Sequence, residues 1–439
     1  MDRYWRNFIK LKNFAIFTSF VILVFLGTCL AQSVGNVPDL MMSEAISESL
    51  SRNLELIASR YDLPIAKAEL LTAGLRPNPV LSLEAGHVRF IHSKPSNTID
   101  LGQPREFALR TDFVLERGNK RQLRVVVAET SRSVAELQVL NEVRLVIQNV
   151  ETAFVDILQA KSNLKLAEEN SRTLRDIVEV NTSRVRSGDL AEVELIRTQV
   201  AQLQFENTVR QAQLQVRTAR FRLQLLLGRD VNAPLADTSG DMRRDILLDD
   251  ASALRAYAAV HRPDLLAARK DQARSQSELK LQLANGKVDY TIGGEYRRLQ
   301  GASLTANLVG LFFSTNLPVF NRNQGEIARA NEEQFQADAR VRALETTVQN
   351  EVEVAYLQYE NALESLGQVE NSLLQRAIDV RKISEFSYRR GEATFLEFLD
   401  AQRAYNETVQ TYNDARGTFA RSLYGIDSVT GSTTASQEK

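Results

Sequence analysis

A glycine-centred pattern occurs twice in this chain and limits what it can fold into more than any other feature. It covers residues 186–199 and again residues 389–402. In each copy an acid follows the glycine by six residues, two apolar residues follow the acid, and a glutamine ends the pattern. Gly188 and Gly391 are 391 − 188 = 203 positions apart, close to half of the 439 residues. Such a period is too long for a solenoid and indicates a duplicated half-molecule.

The bulk composition excludes several functional classes. A net charge of −1, without a basic patch, argues against nucleic-acid binding. We find no phosphate loop, nucleophile elbow or compact carboxylate pair, so no enzyme is predicted. His87, His92 and His261 lack ligand spacing, so we predict neither a metal site nor a cofactor. Nine prolines and abundant Ala, Leu, Gln, Glu and Arg favour long helices and coiled coils.

Residues 1–31 are predicted to be a signal peptide, with a basic start, an apolar core over 14–26 and cleavage after Ala31. Acylation of Cys29 is an alternative, although Thr28 stands where a lipoprotein signal has Gly, Ala or Ser. An uncleaved membrane anchor is a third interpretation, but the apolar run is shorter than the ~20 residues that a transmembrane helix needs. Removal of Cys29 would leave an exported chain without disulfides. No transmembrane helix is predicted in the mature chain.

The rest of the chain is predicted to form two structural repeats and a disordered polar tail over 428–439. The first repeat, 32–235, comprises a helix over 41–75 interrupted at Pro64, strands 80–91 and 105–117, and helices 119–186 and 191–227. The second, 236–427, comprises a helix over 248–283 interrupted at Pro263, strands 287–298 and 304–318, and helices 326–389 and 394–423.

Two local sequence patterns support this division into strands and long helices. In the strands apolar residues such as Phe107 and Leu109 alternate with polar ones such as Glu106 and Arg110, which is typical of a sheet with one apolar face. From about Asn119 to the first turn there is neither Pro nor Gly, which predicts a helix on the order of 100 Å.

Four strands are too few to close a barrel, which needs about eight, and an open sheet edge in lipid leaves backbone groups unsatisfied. Either several chains share one barrel, three copies giving about twelve strands, or the strands form a soluble subdomain packed on a core. The helices are too long for a compact domain. Side by side they would form a tube, a solid bundle or a rod.

Several short segments carry a family resemblance: Arg-Pro-Asn-Pro at 76–79, Glu-Arg-Gly-Asn-Lys-Arg at 116–121, Leu-Pro-Val-Phe-Asn-Arg-Asn-Gln-Gly at 317–325, and the two Arg-x-Gly turns. In this order and in duplicate, they make the chain from Met41 to about Asp427 similar to the TolC-like outer-membrane efflux proteins. The segment 320–325 is most similar to the CzcC-type cation-efflux branch.

The resemblance implies a mixed, mostly α fold in which a homotrimer completes a transmembrane β-barrel of about twelve strands in outer-membrane lipid and a helical α-barrel in the periplasm. The implied function is a passive duct for heavy-metal cations or drugs. Its implied partners are a periplasmic adaptor (membrane fusion) protein and an inner-membrane RND-type pump. The alternatives are a type I protein secretion duct and a non-conducting periplasmic coiled-coil protein.

The resemblance also implies roles at the turns. The implied periplasmic gate residues are Glu397, Asp400, Tyr388, Glu194 and Arg197. The implied adaptor-docking hairpin tips are Arg186, Ser187, Gly188, Asp189, Arg389, Arg390, Gly391 and Glu392. A ring of acids favours cations, and close acids raise one another's pKa. Alternatively, Glu397 and Asp400 are solvated helix residues. Arg197 occupies the position of Asp400 in the other repeat, and we expect it to be able to pair with an acid across the tip.

Overall fold

The computed structural model describes residues 39–86, 105–235, 237–247, 249–300 and 305–432. The predicted signal peptide, residues 87–91 of the first predicted strand and residues 433–439 of the predicted tail lie outside these ranges. Within them, one order of elements occurs twice: short helices, a pair of strands, then a long helical hairpin. The first half contains α1 (Met42–Arg52), α2 (Leu54–Arg60), α3 (Asp62–Ala73), β1 (Val80–Gly86), β2 (Arg105–Leu115), α4 (Lys120–Ser187) and α5 (Glu192–Leu226). The second contains α6 (Ala251–His261), α7 (Pro263–Asn285), β3 (Tyr290–Gln300), β4 (Thr305–Thr315), α8 (Gln324–Gln368), a π-helical turn (Val369–Leu373), α9 (Leu374–Arg390) and α10 (Phe395–Thr430).

The helix predicted over 41–75 is three helices, and the second of its two breaks lies three residues before Pro64, the predicted interruption. The chain breaks at Asn53, whose side chain accepts a bond from the Leu56 N–H at 3.0 Å and donates to the Leu226 carbonyl at 2.9 Å. A second break falls at Tyr61, before α3. Pro64 lies in the first turn of α3, where a missing N–H leaves no intrahelical bond unmade.

Two helices and the tail in the second half also differ from the predictions. The predicted helix 326–389 contains the π-helical turn, and the predicted helix 394–423 continues to Thr430. The tail from 428 is therefore not disordered at its start. Ser428 is buried against α4, and Arg144 of that helix donates to the Ser428 carbonyl at 3.0 Å. The helix ends where Gly431 adopts φ 80°, a conformation that favours glycine.

The four strands form one antiparallel sheet in the order β1-β2-β3-β4. Its register sets Leu109 between Leu83 and Tyr296, and Tyr296 opposite Val309. All four side chains lie on one face and are exposed. The predicted apolar face is thus present. Among the described residues, β1 and β4 each pair on one side only.

Two asparagines turn the chain from the sheet into the long helices. Asn119 and Asn323 adopt φ of 58° and 64° immediately before α4 and α8, and asparagine tolerates this left-handed conformation better than most residues. Behind the first, the buried Lys120 ammonium donates to Asp289 at 2.8 Å and to the Lys287 carbonyl at 2.7 Å. The start of α4 is therefore fixed to the segment that leads into β3.

The packed interior lies between the helices rather than at one centre. α4 has 68 residues, about 100 Å at 1.5 Å per residue, and contacts α5, α7 and α10. Equivalent cores occur in the two halves, one around Phe154 and Leu223 and the other around Tyr359 and Leu423. A third core lies at the far ends of the hairpins. None of the helices in the described ranges is long and apolar enough to cross a membrane.

Candidate functional site

The two hairpin turns share one backbone conformation. Gly188 and Gly391 have φ of 82° and 79°. In each turn the next residue, Asp189 or Glu392, donates its N–H to the carbonyl five residues earlier, at 2.8 and 2.9 Å. A helix closed in this way requires a residue with positive φ, which explains the repeated glycine. The predicted tip residues are all exposed: Arg186, Ser187, Gly188, Asp189, Arg389, Arg390, Gly391 and Glu392.

Glu397 is part of a helix cap. Its carboxylate accepts from the Thr394 N–H at 2.7 Å and from the Thr394 hydroxyl at 3.0 Å, while its own N–H donates to that hydroxyl at 3.3 Å. These reciprocal bonds satisfy donors that the start of α10 would otherwise leave free. The bond from the Thr394 backbone, followed by the hydroxyl bond, holds the pKa of Glu397 below its usual value.

The other acids at the turns have different surroundings. Glu194 pairs with Arg197 at 2.7 Å within α5, so the expected pairing of Arg197 across the tip is not formed within this chain. The Arg197 side chain is 65% exposed, which weakens this ion pair. Asp400 is exposed on α10 and has no hydrogen-bond or ion-pair partner among the described residues. Of the predicted gate acids, only Asp400 is thus unconstrained.

Tyr388 is buried where the two hairpins meet. Its ring lies 5.4 Å from the Phe398 ring and 5.9 Å from the Phe395 ring, between centroids. Its hydroxyl donates to Asn181 at 2.8 Å, and the Asn181 amide donates to Thr198 at 2.8 Å. Burial raises the pKa of Tyr388, so the hydroxyl stays neutral and remains a donor.

Arg184 ties the end of α4 to the end of α9. It donates to the Arg389 carbonyl at 2.7 Å and to the Tyr388 carbonyl at 3.4 Å. Its guanidinium also lies 6.0 Å from the centre of the Tyr388 ring. Because a charged donor strengthens such bonds, Arg184 is a main contact between the hairpins.

Sequence reasoning missed Arg184, Asn181 and Thr198. The usable signal was Tyr388 itself, because a buried tyrosine hydroxyl needs a partner. The structure places Tyr388 and Arg389 against Arg184. It places Glu397 in a cap on the other side of the turn. No group of three or more His, Cys, Asp or Glu side chains in the described ranges is arranged to hold a metal ion.

The outer membrane efflux protein family matches residues 45–229 and 254–432, most of the chain. The chain belongs to this family. It is 22% identical over 393 residues to the cobalt-zinc-cadmium resistance protein CzcC of Cupriavidus metallidurans, covering 89% of this chain and 90% of that protein. It is 24% identical over 390 residues to the pyoverdine export outer membrane protein OpmQ of Pseudomonas putida, covering 84% and 80%. The solved structure of CusC superposes with a TM-score of 0.73 at 19% identity, over 92% of this chain and 95% of that one.

Family membership confirms four predictions. This efflux protein is a mostly helical chain with a four-stranded antiparallel sheet, as the resemblance implied. It is an outer-membrane channel protein with a periplasmic helical extension. It is not an enzyme. As a component of an efflux system, it works with partners that deliver the exported substance.

Proposed function

We propose that three copies of this efflux protein form a passive duct across the outer membrane and periplasm. The supporting observation is the sheet, which has two unpaired edges and an exposed apolar face within the described residues. Leu83, Val309 and Leu311 on that face are 78%, 84% and 88% exposed. Lipid would cover this face, and pairing β1 with β4 of the next copy would satisfy both edges.

The delivering partners in this proposal are a periplasmic adaptor and an inner-membrane RND-type pump. The adaptor docks on the exposed turns around Gly188 and Gly391. The relatives' names support a duct that carries more than one kind of cargo, because one is a cobalt-zinc-cadmium resistance protein and another exports pyoverdine at similar identity. The cargo proposed here is heavy-metal cations or drugs.

The hairpin ends act as the gate in this proposal. Asp400, exposed and unpaired among the described residues, supplies negative charge at the periplasmic mouth. Glu397 contributes charge while it caps α10. The contacts of Arg184 and Asn181 with α9 hold the second hairpin against the first, so their loss opens the mouth. On the first hairpin, Glu194 pairs with Arg197. In this proposal the first hairpin stays in place when the mouth opens.

The duct is tested with the full chain in planar bilayers. We expect stepwise ion conductance and a trimer by mass measurement in detergent. A sealed bilayer with a trimer present would favour the non-conducting structural protein, and a monomer would contradict the shared barrel.

The gate is tested by removing charge without removing the cap. Glu397→Gln keeps an acceptor for Thr394, since glutamine also serves in capping boxes, and Asp400→Asn is nearly isosteric. The double variant is expected to raise the resting conductance and lower the preference for cations. Glu407→Gln, an exposed acid on the same helix about 10 Å further along, is the matched control. Equal effects of control and double variant would contradict the gate assignment.

The contact between the two hairpins is tested with Arg184→Gln, which removes the charged donor to the Arg389 carbonyl. We expect more frequent channel opening than in the wild-type protein. Arg186→Gln, two residues away and exposed, controls for loss of charge at the tip.

Adaptor binding is tested with Arg390→Glu, which should weaken co-purification of the adaptor while conductance remains. Unchanged co-purification with both Arg390→Glu and Arg186→Glu would contradict docking at these turns.

A further inference from the structure

The polar face of the sheet carries a network of charges that lies far from the hairpin ends. The register sets Glu84 and Arg297 on either side of Ala108, and sets Glu295 opposite Arg110. These side chains lie on the face opposite the exposed apolar one. The network consists of Glu84, Glu106, Arg110, Asp112, Glu295 and Arg297. From Glu106 to Asp112 it extends about 20 Å along the strand, at about 3.3 Å per residue.

Arg297 is held by acids from three strands. Its Nε donates to Glu295 at 2.7 Å, and another guanidinium nitrogen donates to Glu106. Glu84 approaches the same guanidinium at 3.9 Å. The positive charge of Arg297 is therefore surrounded by carboxylates.

Arg110 is held in a similar way. Its Nε donates to Asp112 at 2.9 Å, and its guanidinium carbon lies 4.4 Å from the centre of the Phe312 ring. Asp112 lies directly over Gly293, where an added Cβ would be 2.1 Å from a carboxylate oxygen. The Phe312 ring likewise leans over Gly310. Two glycines thus make room for an arrangement that fixes the second arginine.

The face keeps a surplus of negative charge after these pairings. Four acids and two arginines give −4 + 2 = −2 for each chain in this network. Glu84 is the least constrained acid, because its side chain is 62% exposed and its nearest arginine contact is 3.9 Å. Glu106 and Glu295, in contrast, are largely covered.

We propose that this network makes the barrel a cation-preferring section of the duct, with Glu84 as a specificity-determining residue. The inference rests on the proposed function, since the polar face must line a water-filled passage. Both arginines are engaged by acids, so an ion in transit meets mainly carboxylates. Rings of acidic side chains favour cations and repel anions. The network acts on hydrated cations as they pass, and it does so independently of the acids at the hairpin ends.

The test measures reversal potentials of the full-length protein in planar bilayers under a potassium chloride gradient. The wild-type permeability ratio of potassium to chloride is expected to exceed one. Glu84→Gln halves the network's surplus and should lower the ratio. Glu84→Lys brings the surplus to zero and should lower the ratio further, to the preference that the acids at the mouth supply. Ser82→Asp, on the same face of β1, adds an acid and should raise the ratio.

A second set of measurements separates this network from the mouth. In an Asp400→Asn background, Glu84→Lys should still lower the ratio, because the two sites act independently. A ratio that responds to Asp400→Asn but is unchanged by Glu84→Lys, Glu84→Gln and Ser82→Asp would overturn the inference while leaving the duct intact. Absence of any wild-type conductance would instead overturn the duct itself.

Discussion

The two hairpin ends have one backbone turn and two different ways of starting the return helix. Both turns close on a glycine with φ near 80°. At the second end, Thr394 and Glu397 cap α10, and Phe398 is fully buried beside Tyr388. At the first end, Ala191 precedes α5 and provides no side-chain cap, and Leu195 is only partly buried. The glycine therefore determines the turn, while the residues after it determine how firmly each end is held.

The largest expected difference between the ends comes from their apolar residues. Phe398→Ala removes a fully buried ring and should lower the local free energy of opening of α10 by about 3–5 kcal/mol. Leu195→Ala, at the equivalent position of the first repeat, should have less than half that effect because Leu195 is partly exposed. Hydrogen–deuterium exchange of the two turns measures both. Equal effects would mean that the second end is not the more firmly packed one.

The next effect concerns the polar contact that joins the ends. Tyr388→Phe leaves Asn181 without its donor inside a buried site and should cost about 1–3 kcal/mol of local stability. Asn181→Ala should cost a similar amount. The double variant should cost less than the sum of the two, because both remove one interaction. Additive effects in hydrogen–deuterium exchange would show that the hydroxyl bond does not couple α4 to α9.

Sequence patterns predicted the order of elements because the signals are local. The change from helical to alternating periodicity predicted the strands, and the repeated glycine predicted both turns. The break at Asn53 depends on a contact with the end of α5, and the extension of α10 to Thr430 depends on a contact with Arg144 inside α4. No local pattern shows either contact.

The candidate site was predictable to a smaller extent. The spacing of Thr394 and Glu397 is that of a capping box, so the role of Glu397 in the cap was visible in the sequence. The contact of Arg184 with the Arg389 carbonyl joins residues 205 positions apart. It depends on how the two repeats pack together, and repetition alone does not reveal it.

A smaller effect is expected from exchanging the caps. Thr394→Ala removes the hydroxyl that accepts from the Glu397 N–H and should lower the local stability of the start of α10 by about 1 kcal/mol. Ala191→Thr places the same spacing ahead of Glu194, and should slow hydrogen exchange at the start of α5. A gain at α5 without a loss at α10 would show that the second end does not depend on its cap.

The smallest difference is a dependence on pH at one end only. The pKa of Glu397 is lower in the folded chain than its usual value of 4.5, because the Thr394 N–H and hydroxyl favour the ionised carboxylate. A lowered pKa stabilises the folded state above the unfolded pKa, and this contribution disappears as pH falls through the folded pKa. Exchange at the start of α10, corrected for its intrinsic pH dependence, should therefore show less protection as pH falls below about 4.5. In Glu397→Gln the same residues should lose this dependence, since glutamine does not titrate in that range. If the wild-type and Glu397→Gln proteins show the same corrected pH profile, the capping carboxylate is not the group that stabilises this end.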